Sequence, residues 1–432
     1  MQTNFTASQL NNLEISSLNE ELSACLQCDY CIVNCPTHKL LDNEFDNPRA
    51  RIYLINEMLA SEYAPKKATV KHVDRCLSCL ACMSTCPSSV NYMHLVDYAR
   101  IHIENNYHRP VADRSLRYLL AKILPHPARL RLLIHTVWWL KPLHSILPRK
   151  AANLLNTIPR KIPKPSLNDT PQVFPALGKT KKRIVLMTGC VQQVLNTNIN
   201  NASIEILCRH GCEVIIAKDT NCCGALSYHM GKAEQSYNMA EKNIRAWIKE
   251  IDNAGLDAIV INTSGCGTVV KDYGHMFRNK PLAQEAAIVS ALTKDISQLL
   301  SELDLNYQSV PNLRVAYHAT CSLQFGQRIR FLPKKLLKAA GFMILEPKNT
   351  YTCCGSAATY QLLQDEISSA LKAQKAKDLT VLKADVIATG NIGCMLQIAS
   401  AIEVPVVHTV ELLNWATGGL APYIVLKKLD KH

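Results

Sequence analysis

The sequence predicts an α+β multidomain chain, with a helical, cysteine-bearing N-terminal domain ahead of two repeated α/β modules. Three observations predict it. One cysteine spacing occurs twice within the first hundred residues. A strand–helix–strand pattern closed by Cys-Cys-Gly occurs twice in the second half, 131 residues apart. Apolar β-type stretches there alternate with helical ones, as in parallel βαβ layers.

The chain has 432 residues, 48% hydrophobic and 19% charged, which is the composition of a folded chain long enough for several domains. Its eighteen cysteines stand out. The opening residues, Met1 to Ser17, lack a basic stretch followed by an apolar one, so no secretory signal is expected. No run reaches the ~18 apolar residues that span a bilayer. A reducing, cytoplasmic setting is expected, where cysteines serve more often as metal or redox ligands than in disulfides. Composition divides the chain into residues 1–108, with eight cysteines, a basic Leu/Pro-rich connector at 109–180 with none, and two cysteine-containing modules at 181–306 and 307–432.

In the first region Cys25, Cys28, Cys31 and Cys35-Pro36 form one run, and Cys76, Cys79, Cys82 and Cys86-Pro87 form the other. Both follow the bacterial ferredoxin spacing. Thiolates at i, i+3 and i+6 on a tightly turned loop reach three corners of one cubane. The fourth, just beyond, points to the neighbouring cluster. The expected ligand sets are Cys25, Cys28, Cys31 and Cys86 for one [4Fe–4S] cluster, and Cys76, Cys79, Cys82 and Cys35 for the second. Structural zinc would use paired Cys-x2-Cys and leave the third and fourth cysteines of each run without a role. Arg49 through Lys71 reads as helices, so the domain is expected to be an α-helical ferredoxin.

Each module opens with a strand, Arg183–Cys190 or Leu313–Cys321, followed by a helix stopped near Gly211 or Gly341. A second strand leads to Cys222-Cys223-Gly224 or Cys353-Cys354-Gly355. A helix and a third strand then lead to Cys266 or Cys394. In parallel sheets ligands collect at the carboxyl ends of strands, where these cysteines fall. Cys208 and Cys212 have no counterpart in the second copy and read as packing residues. His229, Tyr317 and His318 read as core or surface side chains, with proton handling as the other reading.

This layout resembles the iron–sulfur subunit of glycolate oxidase (glycolate dehydrogenase). The resemblance rests on the two ferredoxin runs, the two Cys-Cys-Gly modules, Pro48-Arg49-Ala-Arg51-Ile-Tyr53, Asp74-Arg75-Cys76 and the ending His408-Thr-Val-Glu411. It implies a flavin-dependent 2-hydroxy acid dehydrogenase complex whose FAD lies in a separate, FAD-binding subunit. Electrons would pass through the two clusters here towards a quinone or membrane acceptor. No catalytic side chain is expected in this chain. Iron–sulfur subunits for lactate, glycerol-3-phosphate or other hydroxy acids, and heterodisulfide reductase-like chains, share the same parts. In the heterodisulfide reductase branch the full modules close with Cys-x2-Cys. Here Thr263 and Asn391 stand where the first cysteine of that pair would be. Four thiols remain in each module: Cys190, Cys222, Cys223 and Cys266, then Cys321, Cys353, Cys354 and Cys394. They are candidate ligands of a further iron–sulfur cluster; the other reading is a thiol-lined docking pocket.

The net charge is +13, and Arg109 to Lys164 carries twelve of the basic residues against one acid, Asp113. Apolar residues and Trp138-Trp139 interleave with them. That pattern suits either a membrane surface, placing the protein peripherally on the inner membrane's cytoplasmic face, or a connector packed on its own modules. A zinc-stabilised nucleic-acid binder would also be basic, but the ferredoxin spacing argues against it, and no nucleic-acid partner is expected.

Overall fold

The computed structural model describes residues 1–61, 63–140 and 162–429, without the side chains of 138–140 and 428–429. The side chains of the tryptophan pair and residues 141–161 of the basic connector therefore lie outside the described residues.

The first long helix of the N-terminal domain is Leu13–Ala24, with the Asn12 side chain accepting hydrogen bonds from the Glu14 and Ile15 amides. Helix Pro48–Ala60 starts on a proline, whose missing donor costs nothing at that position, and the Asn47 side chain accepts from the Ala50 amide. These helices pack with Lys67–Asp74 and Tyr92–Asn106 around Leu22, Ile55, Val73, Leu95 and Ile103, each fully buried. Each such aliphatic side chain contributes about 1.5–3 kcal/mol by leaving water. The expected all-helical ferredoxin domain is what forms.

The first module holds a five-stranded sheet: β1 (Gln172–Phe174), β2 (Lys182–Met187), β3 (Cys212–Ile216), β4 (Ala258–Ile261) and β5 (Thr293–Asp295), in the order β1-β3-β2-β4-β5. The second holds β6 (Arg314–His318), β7 (Met343–Leu345), β8 (Val386–Thr389) and β9 (Val406–His408), in the order β7-β6-β8-β9. Apart from β1, which runs antiparallel beside β3, every pairing is parallel. The inner order repeats between the copies, and both pairs β2/β4 and β6/β8 mark the place where the winding reverses. In open parallel sheets that is where ligands bind. Three strands escaped the sequence reading. Strand β1 lies inside residues read as connector, and β5 and β9 are three residues each.

Within the basic segment, Val111–Ile123 and Pro127–Leu140 are helices lying against the modules. Leu120 and Ala121 pack on Met230, and Leu130 and Ile134 pack on Val194. Arg109 and Arg117 both bond the Asp74 carboxylate, at 2.7 and 3.1 Å, and Arg131 donates to the Gln193 carbonyl at 3.0 Å. So part of this charge is spent inside the molecule. Among the described residues no helix is long and apolar enough to cross a membrane.

The ferredoxin domain is tied to the modules by His94–Asp272 (2.9 Å), Lys232–Glu104 (2.6 Å) and the Tyr360 hydroxyl donating to the Arg75 carbonyl (2.9 Å). Gly231 touches it so closely that a Cβ would sit 2.3 Å from the Arg100 carbonyl oxygen, and its φ of +82° is one that glycine adopts at no steric cost.

Candidate iron–sulfur centres

The two ferredoxin loops turn in the same way. Gln27 and Asp29 in the first, and Ser78 and Leu80 in the second, all have positive φ. Left-handed residues cost about 1–3 kcal/mol each where glycine is absent, so four at matched positions mean that the turn itself is required. Such turns aim successive backbone amides inward, into concavities that suit anionic clusters.

A hollow lined by Cys25, Cys28, Cys31 and Cys86 lies over the first loop, with Cys82 at its inner wall. The fourth thiol thus comes from the opposite run. Burial, with Cys25, Cys86 and Cys28 nearby, pushes the Cys31 thiol up to about 11. At the second loop, burial and then Cys79, Cys76 and Cys35 raise Cys82 well above the usual thiol range. Thiols crowded and buried like this shed their protons together when a cation offsets the charge. The residues present therefore fit two clusters.

Buried polar side chains surround Cys35, among them Arg51 and Arg75 of the strings quoted above. Arg51, 1% exposed, donates to the Thr37 hydroxyl (3.0 Å), the His72 carbonyl (2.7 Å), the Asp46 carboxylate (3.3 Å) and, at 3.8 Å, the Cys35 sulfur. Asp46 is fully buried and also meets His72 (2.9 Å) and Arg75 (2.8 Å). Burial works to raise its pKa, but the bonds from His72 and Arg75 and the Arg51 charge hold it below the usual carboxylate value. Thus the Pro-Arg-x-Arg string sets a buried guanidinium beside a cysteine of the second cluster's expected set. The signal in the sequence was an arginine at an apolar-spaced position of a helix. Arg100 supports the second loop itself, donating to Ser78 (2.6 Å) and the Cys76 carbonyl (2.7 Å).

In each module the four thiols meet. Cys190 donates to the Cys222 sulfur at 3.3 Å. Thiol bonds from Cys190 and Cys223 hold Cys222 down, while the same contacts and burial push Cys190 and Cys223 up. In the second module bonded contacts link Cys321 to Cys353, and Cys354 to both Cys353 and Cys394. Gly224 and Gly355 have φ of +86° and +84°, and a Cβ would lie 2.5 Å from the Ser236 hydroxyl or the Ser368 carbonyl. The Cys-Cys-Gly glycine is therefore there to turn the chain against the following helix. Thr263 donates to Gln192 (2.6 Å), and the Asn391 side chain accepts from the Gly393 amide (2.8 Å), so the two substituted positions serve hydrogen bonding.

All eight module thiols, with Cys76 and Cys79, line one cavity of about 690 Å³, walled on one side by Leu120, Leu124, Leu130 and Ile134 of the connector helices. The second loop enters this cavity beside the second module: Leu77 and Cys79 pack with Cys353 and Cys321, and Leu80 with Phe325. Cys208 and Cys212 lie in the core between sheets and helices, pushed up to about 11 by burial, in keeping with the packing reading. Tyr317 is likewise core, and His229 bonds Asp97 at 3.1 Å. His318 is buried, as the core reading expects, and its ring also meets the module's thiols. A ring nitrogen lies among the second module's sulfurs, within 4.8 Å of those of Cys354 and Cys394. Burial and the Lys375 charge lower its pKa to about 3, leaving the ring neutral.

A dicluster helical domain joined to two cysteine-rich modules defines an iron–sulfur subunit of an oxidoreductase. The chain matches the family described as "4Fe-4S dicluster domain" over residues 21–90, and "Cysteine-rich domain" over 184–271 and 315–399. It is 36% identical to the glycolate oxidase iron-sulfur subunit of Escherichia coli (strain K12), over 96% of this chain and 99% of that one. A probable glycolate oxidase iron-sulfur subunit of Bacillus subtilis (strain 168) is 29% identical over 97% and 99%. Lactate utilization protein A of Oceanobacillus iheyensis is 28% identical, over 55% of this chain and all of its own. A crystal structure of a hypothetical protein from Helicobacter pylori shares the fold, with a TM-score of 0.54 at 9% identity over 98% of this chain and 75% of that one. The chain belongs to the glycolate oxidase iron–sulfur subunit family.

Proposed function

We propose that this chain relays electrons from a flavin-bearing dehydrogenase subunit, which oxidises glycolate or a similar 2-hydroxy acid, towards a quinone or other membrane acceptor. Oxidation of the CH–OH carbon to a carbonyl releases two electrons and two protons. The flavin accepts the pair and passes the electrons singly. Cys25, Cys28, Cys31 and Cys86 hold the first cluster in this reading, and Cys76, Cys79, Cys82 and Cys35 the second. Residues 1–108 form the relay, 109–180 fasten it, and the modules at 181–306 and 307–432 extend the path. The observation that supports this best is the unbroken line of thiols from the Cys25 loop through Cys79 to Cys321 and Cys353. Ligation, burial and hydrogen bonds to sulfur set the potentials. The names of the Escherichia coli and Bacillus subtilis relatives supply the substrate class.

The test is to copurify the chain with its flavoprotein partner without oxygen, add glycolate, and record the paramagnetic resonance of the reduced clusters. Cluster signals are expected to rise with glycolate, less with lactate and not with glycerol 3-phosphate. Reduced flavin beside clusters that stay oxidised would contradict the relay.

A further inference from the structure

We propose that His318 gives the second module's iron–sulfur centre a nitrogen ligand, so that the two modules hold chemically different sites. This rests on the reading above in one respect: the second module binds a metal centre. The placement of the ring carries the proposal. His318 is the last residue of β6, at the carboxyl end of the strand beside β8, opposite Thr389. One ring nitrogen and the sulfurs of Cys354 and Cys394 all lie within 4.8 Å of one another. The residue is 1% exposed and its Nε2 is buried with no hydrogen-bond partner. An unsatisfied buried nitrogen is destabilising, a penalty that a metal bond removes.

The first module lacks this donor. Met187 occupies the corresponding end of β2, opposite Ile261. A second difference follows the same line. Lys375 is 1% exposed on helix Asp365–Thr380, where the first module has Asn243. Its ammonium donates to the Asn349 carbonyl at 3.0 Å, and among the described residues no carboxylate pairs with it. Burying such a charge costs several kcal/mol unless an anion offsets it. A thiolate-ligated cluster is that anion. Imidazole and thiolate together suit iron as they suit zinc, and in an iron–sulfur cluster a neutral nitrogen in place of a thiolate raises the reduction potential. The second module, which Cys79 adjoins, is therefore the one that draws electrons on.

The test uses the full chain, purified without oxygen and reduced, with natural or ¹⁵N-labelled histidine. Pulsed electron paramagnetic resonance is expected to find a strongly coupled ¹⁴N on a third centre, replaced by ¹⁵N on labelling. The coupling is expected to vanish in His318→Met, which copies the first module, and in His318→Gln should the methionine variant not fold. A third centre without that coupling, coupling that survives both substitutions, zinc in the second module, or no third centre would each overturn the proposal. Signals from the two N-terminal clusters are read in the same spectra. Their loss would break the relay reading, whereas their presence without the nitrogen coupling would break only this one.

Discussion

Cys86→Ala is expected to abolish the cluster of the first cysteine run while leaving the cluster of its own run in place. Cys86 follows the second run in sequence, but it lines the hollow over Cys25, Cys28 and Cys31. Its removal leaves three thiols over the first loop, and the second set, with Cys35, stays complete. The variant should lose about four iron atoms per chain, one cubane's worth, with matching acid-labile sulfide. Cys35→Ala is the reciprocal case, removing the second cluster's signal and sparing the first. Retention of the first cluster in Cys86→Ala would mean that each run closes its own site.

The second large effect belongs to Arg51. Arg51→Met removes four hydrogen bonds around Cys35 and leaves Asp46 buried with one cation fewer. Breaking a buried pair from one side costs about 3–5 kcal/mol. Denaturation of the reconstituted protein should register that loss, together with a labile second cluster. The double variant with Asp46→Asn should lose less than the two single losses together, because each removes the other's uncompensated charge. Acid acts through the same carboxylate. Its pKa is lowered in the folded chain, so its contribution is complete above the ordinary value of 3.8 and disappears as pH falls through the folded value. The fold around Cys35 should accordingly keep this carboxylate's contribution in mild acid, and denaturation measured across a pH series checks that the contribution is lost only below the ordinary carboxylate value.

The sequence exposed what depends on chain-local spacing. Both ferredoxin runs, the paired modules and their inner strands follow from residues near one another in the chain, since loop turns and period-two apolar runs are local. Long-range placement was less legible. That Arg51 meets Cys35 depends on how Pro48–Ala60 packs on Lys67–Asp74, and a lone arginine on a helix reads as surface. Strands β1, β5 and β9 are three residues each at sheet edges, held by pairing with the neighbouring strand rather than by a pattern of their own. His318 read as core, and it is buried; what spacing could not give is that the ends of β6 and β8 bring its ring to Cys354 and Cys394.

Iron and acid-labile sulfide per chain, measured on protein purified without oxygen, test the central claim most directly. The account predicts at least about eight irons with equal sulfide, rising to about twelve when the second module is filled. Zinc in place of iron, with no sulfide and no visible absorption, would contradict it.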